Sequence, residues 1–123
     1  MTHDPRQSLH DIRQAAERIV AFCQGKGAAD YLSDVYFRSA VERQFEIAGE
    51  AVNRLRKGSP ELVTRISEYG KIIGFRNQLI HGYDIIDDEI SWLAVEKKLP
   101  ILLRQVTALL DELNAAGGDA VGG

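Results

Sequence analysis

Residues 33–58 read SDVYFRSAVERQFEIAGEAVNRLRKG. Phe37, Val41, Phe45, Ala48, Val52 and Leu55 recur at steps of three and four, which is the period of one helical face. Ala40, Ile47 and Ala51 widen that face, as a central helix touching neighbours on two sides requires. The pattern begins near Ser33, runs for about six turns at 3.6 residues each, and stops at Gly58-Ser59-Pro60. A helix this long and this wide in its apolar face needs other helices to cover it.

Those neighbours can be read on both sides. Asp4-Pro5 is a helix start, with Asp as N-cap and Pro at the first helical position. Leu9, Ile12, Ala16, Ile19, Val20 and Cys23 draw a second apolar stripe that Gly25 and Gly27 end. Downstream, Ser59-Pro60-Glu61 opens a short helix through Leu62, Val63 and Ile66, closed by Gly70. Ile72, Ile73, Phe75, Leu79 and Ile80 predict a short, heavily buried helix, with Gly82 at its left-handed end. Asp87-Asp88-Glu89 supplies the N-cap and acidic first turn of the last helix, which continues from Ile90 and Leu93 through Leu99, Leu102, Leu103, Val106, Leu109, Leu110 and Leu113. Pro100 should bend or briefly break it. No strand pattern, internal repeat or domain linker is visible. The expectation is an all-α, up-and-down four-helix bundle with additional short helices. It occupies residues 1–114, and 115–123 form a flexible Gly/Ala-rich tail.

Composition narrows the function classes. The 123 residues are 45% hydrophobic and 27% charged, ordinary for a globular domain. The single cysteine, Cys23, excludes an internal disulfide framework and is expected on a buried helical face rather than as a nucleophile. No apolar run reaches the length of a membrane span, and the N-terminus lacks a signal-peptide core, so a cytoplasmic protein without membrane contact is expected. The net charge of −3 is not that of a polycation that coats nucleic acid. RNA contact would need local basic residues: Arg54, Arg56 and Lys57, Lys71 and Arg76, or Lys97 and Lys98. His3, His10 and His81 are too dispersed to suggest a metal site, and no phosphate-loop or dinucleotide fingerprint occurs.

Chemistry concentrates in residues 76–83, RNQLIHGY. Arg76 offers a planar fork of donors that matches phosphate oxygens and stays charged. His81 can take a proton from a hydroxyl and return one to a leaving oxygen near neutrality. Tyr83 can stack, donate a hydrogen bond or carry a modification. Asn77 and His81, four apart, share a helix face, whereas Arg76 and His81, five apart, diverge by about 140° on an ideal helix. One helix alone is therefore a poor active site. Two copies facing each other across a two-fold axis would supply both residue types to each wall of a cleft, which favours a homodimer.

With that motif stand IAGEAVNRL at residues 47–55, IIGFRNQLIHGYDIID at 72–87, and a closing Leu-Pro followed by a leucine-rich helix. Together they resemble the HepT-like toxins of the HEPN superfamily of small helical ribonucleases, over roughly residues 5–114. The resemblance implies a metal-independent, cofactor-free endoribonuclease in which the RNA 2′-hydroxyl attacks its own phosphate. It implies His81 as general base or acid, Arg76 as the group holding the scissile phosphate, and Asn77 as the polar residue that orients His81 or the phosphate. Tyr83 would help line the RNA cleft and would be the hydroxyl adenylylated by a cognate MNT-type nucleotidyltransferase antitoxin, in a type VII-like toxin–antitoxin pair. The alternatives are a non-catalytic HEPN nucleotide- or partner-binding module assisting a nucleotidyltransferase, and a helical dimer with an interaction role only. At the residue level, His81 near a helix end, Arg76 as an ion-pair partner of Asp84 or Asp87, and Asn77 as a cap or solvated residue are the plain readings. Glu50 is open to two, a cleft-facing group or an ordinary exposed carboxylate, and Tyr31, Tyr36 and Tyr69 are expected to pack.

Overall fold

The computed structural model describes residues 4–81 and 87–122, with side chains through 116, and every element among them is helical. The first helix, α1 (Pro5–Phe22), starts where expected: the Asp4 carboxylate accepts from the Arg6 N–H, and Pro5 occupies the first turn. It ends at Cys23, and the turn beyond is completed by Gly25 at φ 72°, a left-handed conformation that glycine adopts without a Cβ penalty. A short helix, α2 (Ala28–Ser33), follows. Its six residues are too few to display an apolar stripe, so periodicity does not predict it. Its entry is fixed by Asp30, whose carboxylate accepts from the Gly27 N–H at 2.8 Å.

The central helix, α3 (Val35–Gly58), starts one residue after its N-cap, Asp34, whose carboxylate accepts from the Tyr36 and Phe37 N–H groups at 3.0 and 3.2 Å. Phe37, Val41, Ala48, Ala51, Val52 and Leu55 are buried, and Phe45 is half-buried. Tyr36 does not pack: it stands beside that stripe, about 100° off Phe37, and is 86% exposed. After α4 (Pro60–Val63) the chain turns through Glu68, at φ 57°, into α5 (Tyr69–His81). Gly70 thus lies inside α5 and does not close the preceding helix; the Glu68 carbonyl starts α5 by accepting from the Lys71 and Ile72 N–H groups.

The last helical run comprises α6 (Asp88–Leu93), a π turn (Ala94–Lys98) and α7 (Leu99–Gly122). Asp87 caps it, as expected. The helix is not broken at Pro100. The Leu99 N–H instead reaches back five residues to the Ala94 carbonyl, and the widened turn makes room for a proline ring that would press on the carbonyl four residues back.

Among the described residues, two clusters form the core. In one, Leu9 and Ile12 of α1, Val52 and Leu55 of α3, Val63, Ile66, and Val106 and Leu110 of α7 are all 0–1% exposed. In the other, Ile19, Val41, Val95 and Leu99 surround an aromatic trio in which the Tyr31 ring lies 5.9 Å from Phe37 and 5.4 Å from Trp92. Tyr31 therefore packs, and its burial, with Glu42 and Asp88 nearby, pushes the phenol pKa up. Tyr69 packs against the first cluster. The apolar residues of α5 are a different matter. No residue of α5 is fully buried, and Ile80 is 47% exposed, so the heavily buried helix expected from its sequence is only half covered by this chain. Val20, Ile90 and Leu93 are exposed too, although their spacing placed them on apolar stripes. Among the described residues, no helix is long and apolar enough to cross a membrane.

Candidate active site

The position of α5 follows from one residue on α3. A Cβ at Gly49 would fall 2.3 Å from the Arg76 Cβ and 2.8 Å from its Cγ, with the Ile72 carbonyl oxygen at 3.3 Å. Only the bare glycine backbone lets α5 lie this close. Nearby on the same helix pair, Phe45 and Phe75 meet edge to face at 5.3 Å. The start of α5 is tied to α7: the Ser67 N–H donates to the Gln105 Oε1 at 2.8 Å, and the Gln105 Nε2 donates to the Ser67 Oγ at 2.7 Å. Lys71 and Lys98 both approach the Glu68 carboxylate, at 3.3 and 2.8 Å, and hold its pKa below the usual carboxylate range.

Within this frame Arg76 is three-quarters buried. Its Nη2 donates to the Glu50 carboxylate of α3, and its Nη1 donates to the Asn77 Oδ1 at 2.9 Å. Its Nε is buried and makes no hydrogen bond among the described residues. Among the described residues the ion-pair partner of Arg76 is therefore Glu50 and not Asp87, and Asn77 is engaged with Arg76 rather than acting as a cap. His81 is the exposed last residue of α5. Tyr83 lies outside the described residues, as do Gly82 and Asp84. Arg76, Asn77 and His81 thus share one helix, at the angular spacing the sequence implied.

Glu50 is the residue that sequence reasoning left undecided. The signal was present, since a glycine at the crossing of two helices places its neighbour at the same contact. What the sequence lacked was the information that α5 is the helix crossing there.

Elsewhere the basic residues are largely spoken for. Arg54 pairs with Asp11 at 2.6 Å, and Arg56 donates to the Asn53 Oδ1. An apolar groove of about 500 Å³ runs between α3, α5 and the last helical run, lined by Phe45, Ile72, Phe75, Ile90 and Leu102 among others. Arg76, Asn77 and His81 do not line it. Cys23 is half-buried, and burial pushes its thiol pKa up, away from a nucleophilic thiolate. Among the described residues, no three His, Cys, Asp or Glu side chains gather to hold a metal ion.

The sequence profile of the family described as Ribonuclease HepT-like matches residues 12–109, a span that holds α3, α5 and the whole motif. The chain belongs to this HEPN family. Its similarity to curated relatives covers most of the chain. This HepT-like chain is 32% identical over 108 residues to "Putative RNase TTE0752" of Caldanaerobacter subterraneus subsp. tengcongensis, which covers 88% of this chain and 96% of that one. It is 31% identical over 106 residues to "Probable ribonuclease HepT" of Thermococcus cleftensis, covering 83% and 92%. With "Putative RNase MJ1380" of Methanocaldococcus jannaschii it shares 28% over 103 residues, covering 84% and 94%. No solved structure matches the chain significantly.

Proposed function

We propose that this HepT-like protein is a metal-independent endoribonuclease and the toxin of a type VII-like toxin–antitoxin pair. The observation that carries the reading is the joint placement of Arg76, Asn77 and His81 on α5 in a chain of the ribonuclease HepT-like family. In the proposed reaction His81 takes the proton of the RNA 2′-hydroxyl, and the oxygen attacks the adjacent phosphorus. The bond to the 5′-oxygen breaks, and that oxygen receives a proton from a second imidazole. The products are a 2′,3′-cyclic phosphate and a 5′-hydroxyl. Arg76 offsets the charge that accumulates on the phosphate oxygens, where a fixed cation stabilises the transition state more than the ground state.

One copy provides one His81, so base and acid together call for two. The functional unit is accordingly a homodimer of up-and-down four-helix bundles with the motif helices facing across the two-fold axis. The half-covered apolar side chains of α5 support this. Tyr83 serves RNA binding and is the hydroxyl that a cognate MNT-type nucleotidyltransferase adenylylates. The added nucleotide blocks RNA by bulk and by like charge.

The test is incubation of purified protein with cellular RNA in EDTA, beside His81→Ala. Wild type should leave 2′,3′-cyclic phosphate ends, and the variant should be slower by about 10²–10⁴-fold. Equal cleavage by the variant would remove His81 from the chemistry. If wild type verified as unmodified by intact mass does not cleave, the chain is the accessory binding module instead. Separately, Tyr83→Phe should escape labelling by the nucleotidyltransferase; a labelled variant would move the modification elsewhere.

A further inference from the structure

We infer that Glu50 is a positioning residue for this reaction, acting through Arg76; the inference rests on the ribonuclease reading above. Arg76 is constrained at three points along its length. Its stem is pressed against α3 at Gly49, where even one extra carbon would collide with it. One terminal nitrogen is held by the Glu50 carboxylate and the other by Asn77 on its own helix. Arginine side chains are otherwise among the most mobile in proteins, and ordering one when substrate arrives weakens the interaction it makes. Here the ordering is complete before RNA binds.

The arrangement is not that of an ordinary surface tie. In the exposed pair of Arg65 with Glu112 the arginine side chain is 49% exposed, whereas that of Arg76 is 24% exposed. Each terminal nitrogen of a guanidinium carries two hydrogens, so the bonds to Glu50 and Asn77 leave one donor on each for a phosphate oxygen. Glu50 itself is 45% exposed beside that fork. Its negative charge is adverse for RNA approach and is screened by water at that exposure. Its hold on the guanidinium is what the transition state needs, since small misplacements of a catalytic group cost up to about a hundredfold in rate.

These opposing effects fall on different kinetic constants and so can be separated. Glu50→Ala should lower kcat for RNA cleavage by about ten- to hundredfold while KM stays level or falls, because a negative charge has left the cleft. Glu50→Gln keeps an acceptor oxygen and should recover part of kcat. In an Arg76→Ala background Glu50→Ala should cause no further loss, because the residue acts only through the arginine. Melting temperature and helical content, measured on the same samples, identify any variant that fails to fold, and Glu50→Gln then carries the comparison. If wild type cleaves and His81→Ala does not, yet Glu50→Ala matches or exceeds wild type, the positioning role is overturned and the ribonuclease reading stands. A further loss on the Arg76→Ala background would likewise overturn it. If wild type does not cleave at all, the ribonuclease reading fails first and the role of Glu50 fails with it.

Discussion

At the scale of the residue, Gly49 and Arg76 carry the most consequence for the least mass. Glycine inside a helix is ordinarily about 1 kcal/mol worse than alanine, so Gly49→Ala should stabilise α3 considered alone. The contact decides otherwise. The colliding atom is the Arg76 Cβ at 2.3 Å, fixed to backbone and unable to swing aside. α3 and α5 would have to separate, and overpacking of this kind costs about 1–3 kcal/mol. Gly49→Ala should therefore lower the denaturation midpoint and displace Arg76, so that RNA cleavage falls as well; an unchanged or raised midpoint would show that the helices yield freely. Glu42 offers a second test. Its carboxyl pKa is raised by burial and by Asp88 of α6, with Glu46 adding and Arg38 opposing. A folded-state pKa above the unfolded one means a contribution that is full below the unfolded pKa and is lost as pH rises through the folded value. Glu42→Gln should thus raise the melting temperature at pH 7, with the gain shrinking as pH falls through the raised folded pKa and gone below about pH 4, under the unfolded glutamate pKa. A variant less stable than wild type at pH 7 would mean that attraction to Arg38 outweighs burial.

At the scale of the element, caps were legible and coverage was not. Asp4 and Asp87 cap as expected, because a cap needs only its own next three residues, whereas Ser59 makes no side-chain cap bond and the cap of α3 is Asp34, one residue past the expected start at Ser33. Asp34→Ala should cost about 1 kcal/mol in urea denaturation, with cleavage per folded molecule unchanged; a loss of activity at intact stability would tie the start of α3 to the site. The α2 helix is too short for periodicity to show, and Gly70 does not close a helix because the break is made by Glu68, a residue with no turn signature in the sequence. The burial of α5 was overestimated for a related reason. Periodicity marks which side chains are apolar, but it does not show whether this chain or another covers them. The motif residues can be nominated from sequence for the opposite reason, since their chemistry is written in their identity. The partner of Arg76 cannot, because Glu50 lies 26 residues away and meets it only through the α3–α5 crossing.

At the scale of the whole molecule, the uncovered apolar surface and the site geometry make the same demand. Ile80 stands 47% exposed one position before His81, and Ile90 and Leu93 at the start of the last helical run are 63% and 51% exposed. A second copy set against α5 would cover such side chains and bring the second imidazole that the proposed reaction lacks in one chain. The protein should therefore sediment with twice the 13.7 kDa mass of one chain. Ile80→Glu probes the seam with little damage to the fold, since the side chain is already half in water. Full burial of an isoleucine contributes about 1.5–3 kcal/mol, so losing the remaining half and placing a charge there should weaken association by roughly tenfold or more. Cleavage by that variant should then depend on protein concentration and recover as dimer reforms, whereas a variant damaged at the chemical step would stay slow at every concentration. A wild type that remains a single chain at all concentrations and still cleaves RNA would mean that one His81 suffices, with water as the other proton carrier, and the two-fold site would have to be abandoned.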